Sequence, residues 1–314
     1  MKKIIFVFIL IISMLLTACT NESKNEQKDS SKLSVYTTVY PLQYFTDRIG
    51  GEYVETKTIY PPGADEHSFE PTQKDMTKLA DADLFIFVGL GLEGFVEKAK
   101  KTLKNEDVTM IGAGENIHFD EVQAHEKDEH SHEDDGHHHG DIDPHVWIDP
   151  LYSKDLAAAI KTALTDKMPE HKEEFEANYR LVADELDQLN EDFEQTIHDA
   201  KHKEIIVSHS AFGYWEQRYG IHQISVSGLN SANEPTQKDL EKIIAEGKKH
   251  QLKYVFFEQN VSSKLTEIIK NELGAEPLVL HNLSVLTDED ISNESTYFSI
   301  MKTNLEALKT ALNN

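Results

Sequence analysis

Histidine and carboxylate are the side chains with which this sequence could do chemistry, and they are unevenly placed. From His125 to Trp147 the chain reads HEKDEHSHEDDGHHHGDIDPHVW, seven histidines interleaved with acidic residues. Imidazole and carboxylate together attract divalent transition metals. Two pieces, HEKDEH and HEDDGH, look like zinc-protease motifs, but each spaces its histidines five apart. On a helix that step turns the second ring by about 140° from the first, so the pair cannot share an ion as i and i+4 histidines do. The stretch also lacks an apolar stripe and is rich in Asp, Gly and Ser, which predicts a loop. Histidines on such a loop gather zinc weakly and exchangeably, and lose it as the imidazoles protonate near about pH 6.5. His125, His130, His132, His137, His138 and His139 are therefore read as accessory metal capture within an acidic loop over 118–143.

Three other histidines are better placed. His67 lies in PPGADEHSFEPT, after an apolar run, and His209 ends the apolar run of IIVSHSAFGYW. His145 lies in DIDPHVWIDP, where Pro144 and Pro150 stiffen the backbone and Trp147 and Ile148 can pack. In open α/β sheets ligands bind beyond the carboxyl ends of strands, which is where His67 and His209 are expected. Cys19 is the only cysteine, so no disulfide can form within the chain. A G-x-G-x-x-G at Gly89–Gly94, with Glu115 downstream, imitates a dinucleotide fingerprint. It follows the third strand of its lobe, where the fingerprint belongs to the first, and is read as a glycine-rich turn.

These residues need a frame. Apolar, β-branched runs occur at Leu33–Tyr40, Tyr53–Tyr60, Leu84–Val88 and Val108–Ile111, and again at Glu204–Ser208, Gln223–Ser227, Lys253–Glu258 and Leu278–His281. Helical patterns lie between them, among them Thr72–Asp81, Glu93–Lys104, Asp239–His250 and Ser262–Leu273. Such alternation predicts parallel sheets flanked by helices. The hexapeptide EPTQKD occurs at Glu70–Asp75 and at Glu234–Asp239, each time before a helix and then a strand. Thr72 and Thr236 suit N-caps, and Asp75 and Asp239 the positive helix end. The repeat predicts two similar α/β lobes. Between them, Phe175, Tyr179, Val182, Leu186, Leu189, Phe193 and Ile197 recur in steps of three and four along Pro169–Lys201. That is one stripe of a long, rigid joining helix of roughly 50 Å. The expected division is an N-terminal lobe over 33–168, the linking helix over 169–202 and a C-terminal lobe over 203–314.

Lys2 and Lys3 precede an apolar run from Ile4 to Leu16, followed by LTAC ending at Cys19. About 20 Å of helix is too short for a hydrocarbon core of about 30 Å, so residues 1–18 read as a secretory signal peptide. The LTAC tetrapeptide looks like the lipobox of bacterial lipoproteins, which makes Cys19 the lipidated first residue. Residues 19–32 hold Cys19 and a polar, disordered tether. The formal charge of −25 argues against nucleic acid and favours cationic ligands.

GADEHSFEPT, DPHVWIDP, VSHSAFGYW and FFEQN resemble the zinc-binding solute-binding lipoproteins of ABC importers, a cluster that also includes manganese-binding adhesin lipoproteins. The resemblance spans nearly the whole chain. It implies a metal site in the cleft between the lobes, with His67, His145 and His209 as ligands. Many relatives place a carboxylate in a loop after the last strand, in a pattern like LNPLEGLT, where this chain has Ser284. Glu66 is then the expected fourth ligand, with water and His281 as the other occupants. Three imidazoles favour Zn2+ over Mn2+. The implied function is capture of zinc outside the cytoplasm and delivery to an ABC-transporter membrane permease and its ATPase. The receptor is expected as a monomer, lipid-anchored at a Gram-positive cell surface. Two alternatives are a manganese-binding adhesin and a zinc-dependent hydrolase with Glu66 as base.

Overall fold

The computed structural model describes residues 31–117, 119, 142–230, 235–259 and 263–314. The expected signal peptide, Cys19, nearly all of the tether and the loop histidines His125, His130, His132, His137, His138 and His139 lie outside the described residues.

Two four-stranded parallel sheets form the frame. The first comprises β1 (Leu33–Thr37), β2 (Val54–Thr58), β3 (Leu84–Phe87) and β4 (Thr109–Gly112), in the order β2-β1-β3-β4. The second comprises β5 (Glu204–His209), β6 (His222–Ser227), β7 (Tyr254–Phe257) and β8 (Glu276–Val279), in the equivalent order β6-β5-β7-β8. All pairings are parallel. In each sheet the first strand in sequence lies inside, so its carboxyl end opens towards the cleft rather than an edge.

The EPTQKD repeat does the same work twice. Thr72 caps α2 (Gln73–Ala80) and Thr236 caps α7 (Gln237–Lys249), each in a reciprocal box with the aspartate three residues on. One departure from the sequence reading is at Tyr40. The first apolar run ends as a strand at Thr37, and α1 (Tyr40–Gly50) begins with Pro41 in its first turn. Proline there fixes φ for the helix and lacks only a donor that would be unpaired anyway.

The linking segment opens with a 3-10 turn at Pro169–His171 and continues as α5 (Lys172–His198), 27 residues or about 40 Å long. Phe175, Val182, Leu186, Leu189, Phe193 and Ile197 are buried along one stripe. The helix is not an isolated rod. It packs against α1, against α4 (Pro150–Lys167) and against α10 (Tyr297–Leu312). This packing joins the two lobes through a shared core. Among the described residues one continuous apolar cluster runs from Val35 and Phe85 through Phe193 and Trp215 to Leu280 and Leu308, and Ile206, Val226, Ile243, Leu252, Val255 and Ile269 form a second.

Candidate metal centre

Each histidine of the expected site is aimed by a local device. Asp65 accepts from the backbone N–H groups of His67 (2.9 Å) and Ser68 (3.1 Å), which turns the loop after β2 back on itself. Asp143 accepts from the His145 backbone N–H at 2.9 Å and meets its ring Nδ1 at 2.7 Å. The following 3-10 turn, Val146–Ile148, is buried, and Trp147 Nε1 donates to the Asn282 carbonyl at 2.7 Å across the cleft. Asp149 then caps α4 through Leu151 and Tyr152 while pairing with Arg218. His209 ends β5, and its Nδ1 meets the buried Glu258 carboxylate that follows β7.

The result is one cluster. Ligand atoms of Glu66, His67, His145 and His209 all lie within 4.8 Å of one another. His145 Nε2 stands 3.3 Å from His67 Nε2 and 3.4 Å from His209 Nε2. Two ligands at 2.0–2.1 Å from a tetrahedral zinc ion stand roughly 3.3 Å apart, the same spacing. The carboxylates on Nδ1 of His145 and His209 assign the proton to that nitrogen and leave an acceptor Nε2 on each ring. Acceptors that face one another so closely are reconciled by a shared cation. Glu66 is buried, and its Oε1 lies 3.9 Å from His67 Nε2.

The electrostatics agree. Burial, reinforced by the other two imidazoles, pushes the His67 pKa down to about 3, so this ring is neutral at physiological pH. For His209 burial also opposes the charged form, but the hydrogen bond and charge of Glu258 outweigh it and the pKa rises. Burial raises the Glu66 carboxyl above its ordinary range, in part offset by hydrogen bonding and by the imidazoles. A dication would reverse that balance and favour the carboxylate.

Ser284 and His281 stay outside the cluster. The Ser284 hydroxyl donates to Asn282 Oδ1 at 2.9 Å. His281 is held at both ring nitrogens, by the Leu283 N–H at 2.9 Å and by Asp290 at 3.1 Å. The G-x-G-x-x-G stretch is a turn with Gly89, Leu90 and Gly91 at positive φ. The backbone N–H groups of Val88 (2.8 Å) and Gly89 (2.9 Å) point at the Glu93 carboxylate. Donors already satisfied in this way do not make a phosphate cradle. Asp143, Glu258 and Asn282 carried no role in the sequence reading. Asp143 and Glu258 sit inside two of the quoted motifs, DIDPHVWIDP and FFEQN, so a search for carboxylates that orient histidines would have raised them; nothing local marks Asn282.

The profile of the family described as ZnuA, zinc-uptake complex component A periplasmic, matches residues 35–311. The chain belongs to this family. ZnuA-family relatives include zinc-binding protein AdcA of Streptococcus pyogenes serotype M3, 34% identical over 319 residues, an alignment covering 98% of this chain and 61% of AdcA. The chain thus spans about three fifths of the length of that relative. The high-affinity zinc uptake system protein ZnuA of Bacillus subtilis is 34% identical over 301 residues, covering 95% of this chain and 94% of the relative. Among solved structures, the Zn(II)-bound ZnuA-like domain of Streptococcus pneumoniae AdcA superposes with a TM-score of 0.75 at 30% identity, over 90% of this chain and 100% of that domain. Paired parallel sheets around a long helix are thus the ZnuA-like fold, and the family resemblance drawn from GADEHSFEPT and DPHVWIDP holds.

Proposed function

We propose that this chain is an extracytoplasmic zinc receptor that captures Zn2+ in the interlobe cleft and hands it to an ABC-transporter permease driven by its ATPase. The observation that carries the reading is the convergence of ligand atoms of His67, His145, His209 and Glu66 within 4.8 Å, with His145 Nε2 only 3.3 and 3.4 Å from the other two imidazoles. Three nitrogens and one carboxylate suit zinc, whereas manganese prefers a shell richer in oxygen. In this reading Glu66 is the fourth ligand, its Oε1 positioned by the Asn282 amide at 3.2 Å. Ligands from both lobes make the bound ion a contact that differs between open and closed states, which is what a ligand needs to bias a movement. In this reading Cys19 anchors a monomer to the membrane, and the acidic histidine loop raises the local zinc concentration.

The test is a calorimetric zinc titration of the chain from Thr20 onward beside the same chain lacking 120–141. One tight site should survive the deletion, with only weak sites lost. Disappearance of the tight site with the loop would overturn the assignment of His67, His145 and His209.

A further inference from the structure

Asn282 stands where the two halves of the cluster meet. Its side-chain nitrogen has two hydrogens, and both are used on carboxylates: Nδ2 donates to Glu66 Oε1 at 3.2 Å and to Glu258 Oε2 at 2.8 Å. Glu66 belongs to the loop after β2, and Glu258, through Oε1, orients the His209 ring. One amide group therefore touches a residue of the metal cluster in one lobe and the support of a second in the other.

Which way the amide points is decided by its surroundings. Asn282 Oδ1 accepts from the Ser284 backbone N–H at 3.0 Å, the Ser284 hydroxyl at 2.9 Å and Gln259 Nε2 at 3.0 Å. A flipped amide would set its NH2 against a backbone N–H and its oxygen against two carboxylates, so only one orientation satisfies the network. The main chain is held as well: the Asn282 N–H donates to Gln259 Oε1 at 3.2 Å, and its carbonyl accepts from Trp147 Nε1 at 2.7 Å. Leu283 turns the loop at φ 60°, a conformation uncommon for a γ-branched residue, and this brings Ser284 back onto Oδ1. A carboxylate at 284 would place an acceptor against that acceptor. Serine there fits a support for Asn282.

We propose that Asn282 is a positioning residue for zinc: with Ser284 as its post, it holds Glu66 and Glu258 in register across the cleft, so the loop after β8 shapes the metal site without supplying a ligand. This deepens the receptor reading and rests on it. Outer hydrogen-bond partners of metal ligands are typically worth 10–100-fold in affinity. Asn282 supports one proposed ligand, Glu66, directly and another, His209, through Glu258, so a loss within that range is expected.

The experiment uses the mature chain with Zn2+ in competition titrations and Co2+ as an optical probe, because four-coordinate cobalt absorbs far more strongly in the visible than five- or six-coordinate cobalt. Asn282→Ala should weaken zinc binding by about 10–100-fold and reduce the cobalt bands as Glu66 gives way to two or more waters and the coordination number rises. In a Glu66→Ala background the same change should cost less than it does alone, because part of its effect runs through Glu66. Asn282→Asp keeps Oδ1 for Ser284 and Gln259, and so the loop, but replaces the donor with an acceptor; it should show the same loss. Unchanged affinity and spectrum in both variants, or strict additivity with Glu66→Ala, would overturn the inference. A parent chain that fails to bind one equivalent of either ion would instead overturn the receptor reading.

Discussion

In each lobe a buried glutamate stands beyond the third strand in chain order, close to the end of the first. In the N-terminal lobe Glu93 accepts from Thr38 at 2.7 Å and from the N–H groups of Val88 and Gly89. In the C-terminal lobe Glu258 takes the His209 ring and the Asn282 amide. Equivalent places in one topology thus serve different ends. Glu93 pins a glycine-rich turn, and Glu258 aims a histidine into the cleft. The N-terminal lobe supplies Glu66 and His67 from the loop after its second strand instead, and His145 from the connection to α4. A carboxylate at the mouth of a parallel sheet is therefore a structural resource first, and its chemistry depends on whether a backbone donor or a ring nitrogen reaches it.

The largest effect that tests this contrast is expected from Glu258→Gln. Removing the charge behind His209 should weaken zinc binding by about 10–100-fold at pH 8. The pH profile should move the other way. With His209 as a zinc ligand, as proposed, proton and zinc compete for its ring, so affinity in the parent should fall as pH drops through the raised pKa of that ring. Without the Glu258 charge that pKa falls, and loss of binding should begin at lower pH. His67, neutral down to about pH 3, contributes nothing to this window. Zinc competition titrations between about pH 5.5 and 8 measure both. Equal affinity with an unshifted profile would place Glu258 beside Glu93 as a purely structural group.

Glu93→Gln is the matching change in the other lobe, and its effect should appear in stability. The glutamine amide must face the Gly89 N–H or the pair formed by Val88 and Thr38, which leaves a buried donor unsatisfied at about 1–3 kcal/mol. Zinc affinity should stay within about twofold, well below the range that supports of metal ligands command. The deficit should also depend on pH. Burial raises the Glu93 pKa in the folded protein, so its protonated form favours folding below the unfolded value, and that favour is lost as pH rises through the folded one. The parent should exceed the variant by more at pH 4 than at pH 8 in urea unfolding. A large loss of zinc affinity would dissolve the contrast between the two glutamates.

How far this asymmetry could be read in advance depends on range. The strands were legible as apolar runs, and the helix starts at Gln73 and Gln237 from Thr-x-x-Asp, because both signals are local. Tyr40 was misplaced in a strand because VYTTVY is as β-branched and aromatic as a strand requires, and Pro41 alone marks the helix. The three histidines that share the cluster with Glu66 stood out in quoted motifs, and two of them, His67 and His209, also by their places beyond strands. Their supports were less so: Glu258 lies 49 residues from His209, and Asn282 lies 216 from Glu66. Such pairs are created by the closure of the fold around α5. No spacing in the chain announces them.

The smallest effect concerns the repeat itself. Thr72→Ala and Thr236→Ala each remove a cap whose geometry is nearly the same: the aspartate N–H donates to the threonine oxygen at 3.3 Å in both, and the reciprocal bonds are 3.1 and 3.2 Å. The local cost should be about 1 kcal/mol at either site. Their surroundings differ. Leu79 of α2 joins the continuous core, whereas Ile243 of α7 belongs to the small second cluster with Val226, Val255 and Ile269. Loss of the Thr72 cap should therefore register fully in the melting temperature. Loss of the Thr236 cap should shift it less and appear instead as faster amide exchange along α7, a region able to open before the rest. Equal melting shifts with unchanged exchange in α7 would mean that the two clusters unfold as one, and that the lobes differ in chemistry but not in cooperativity.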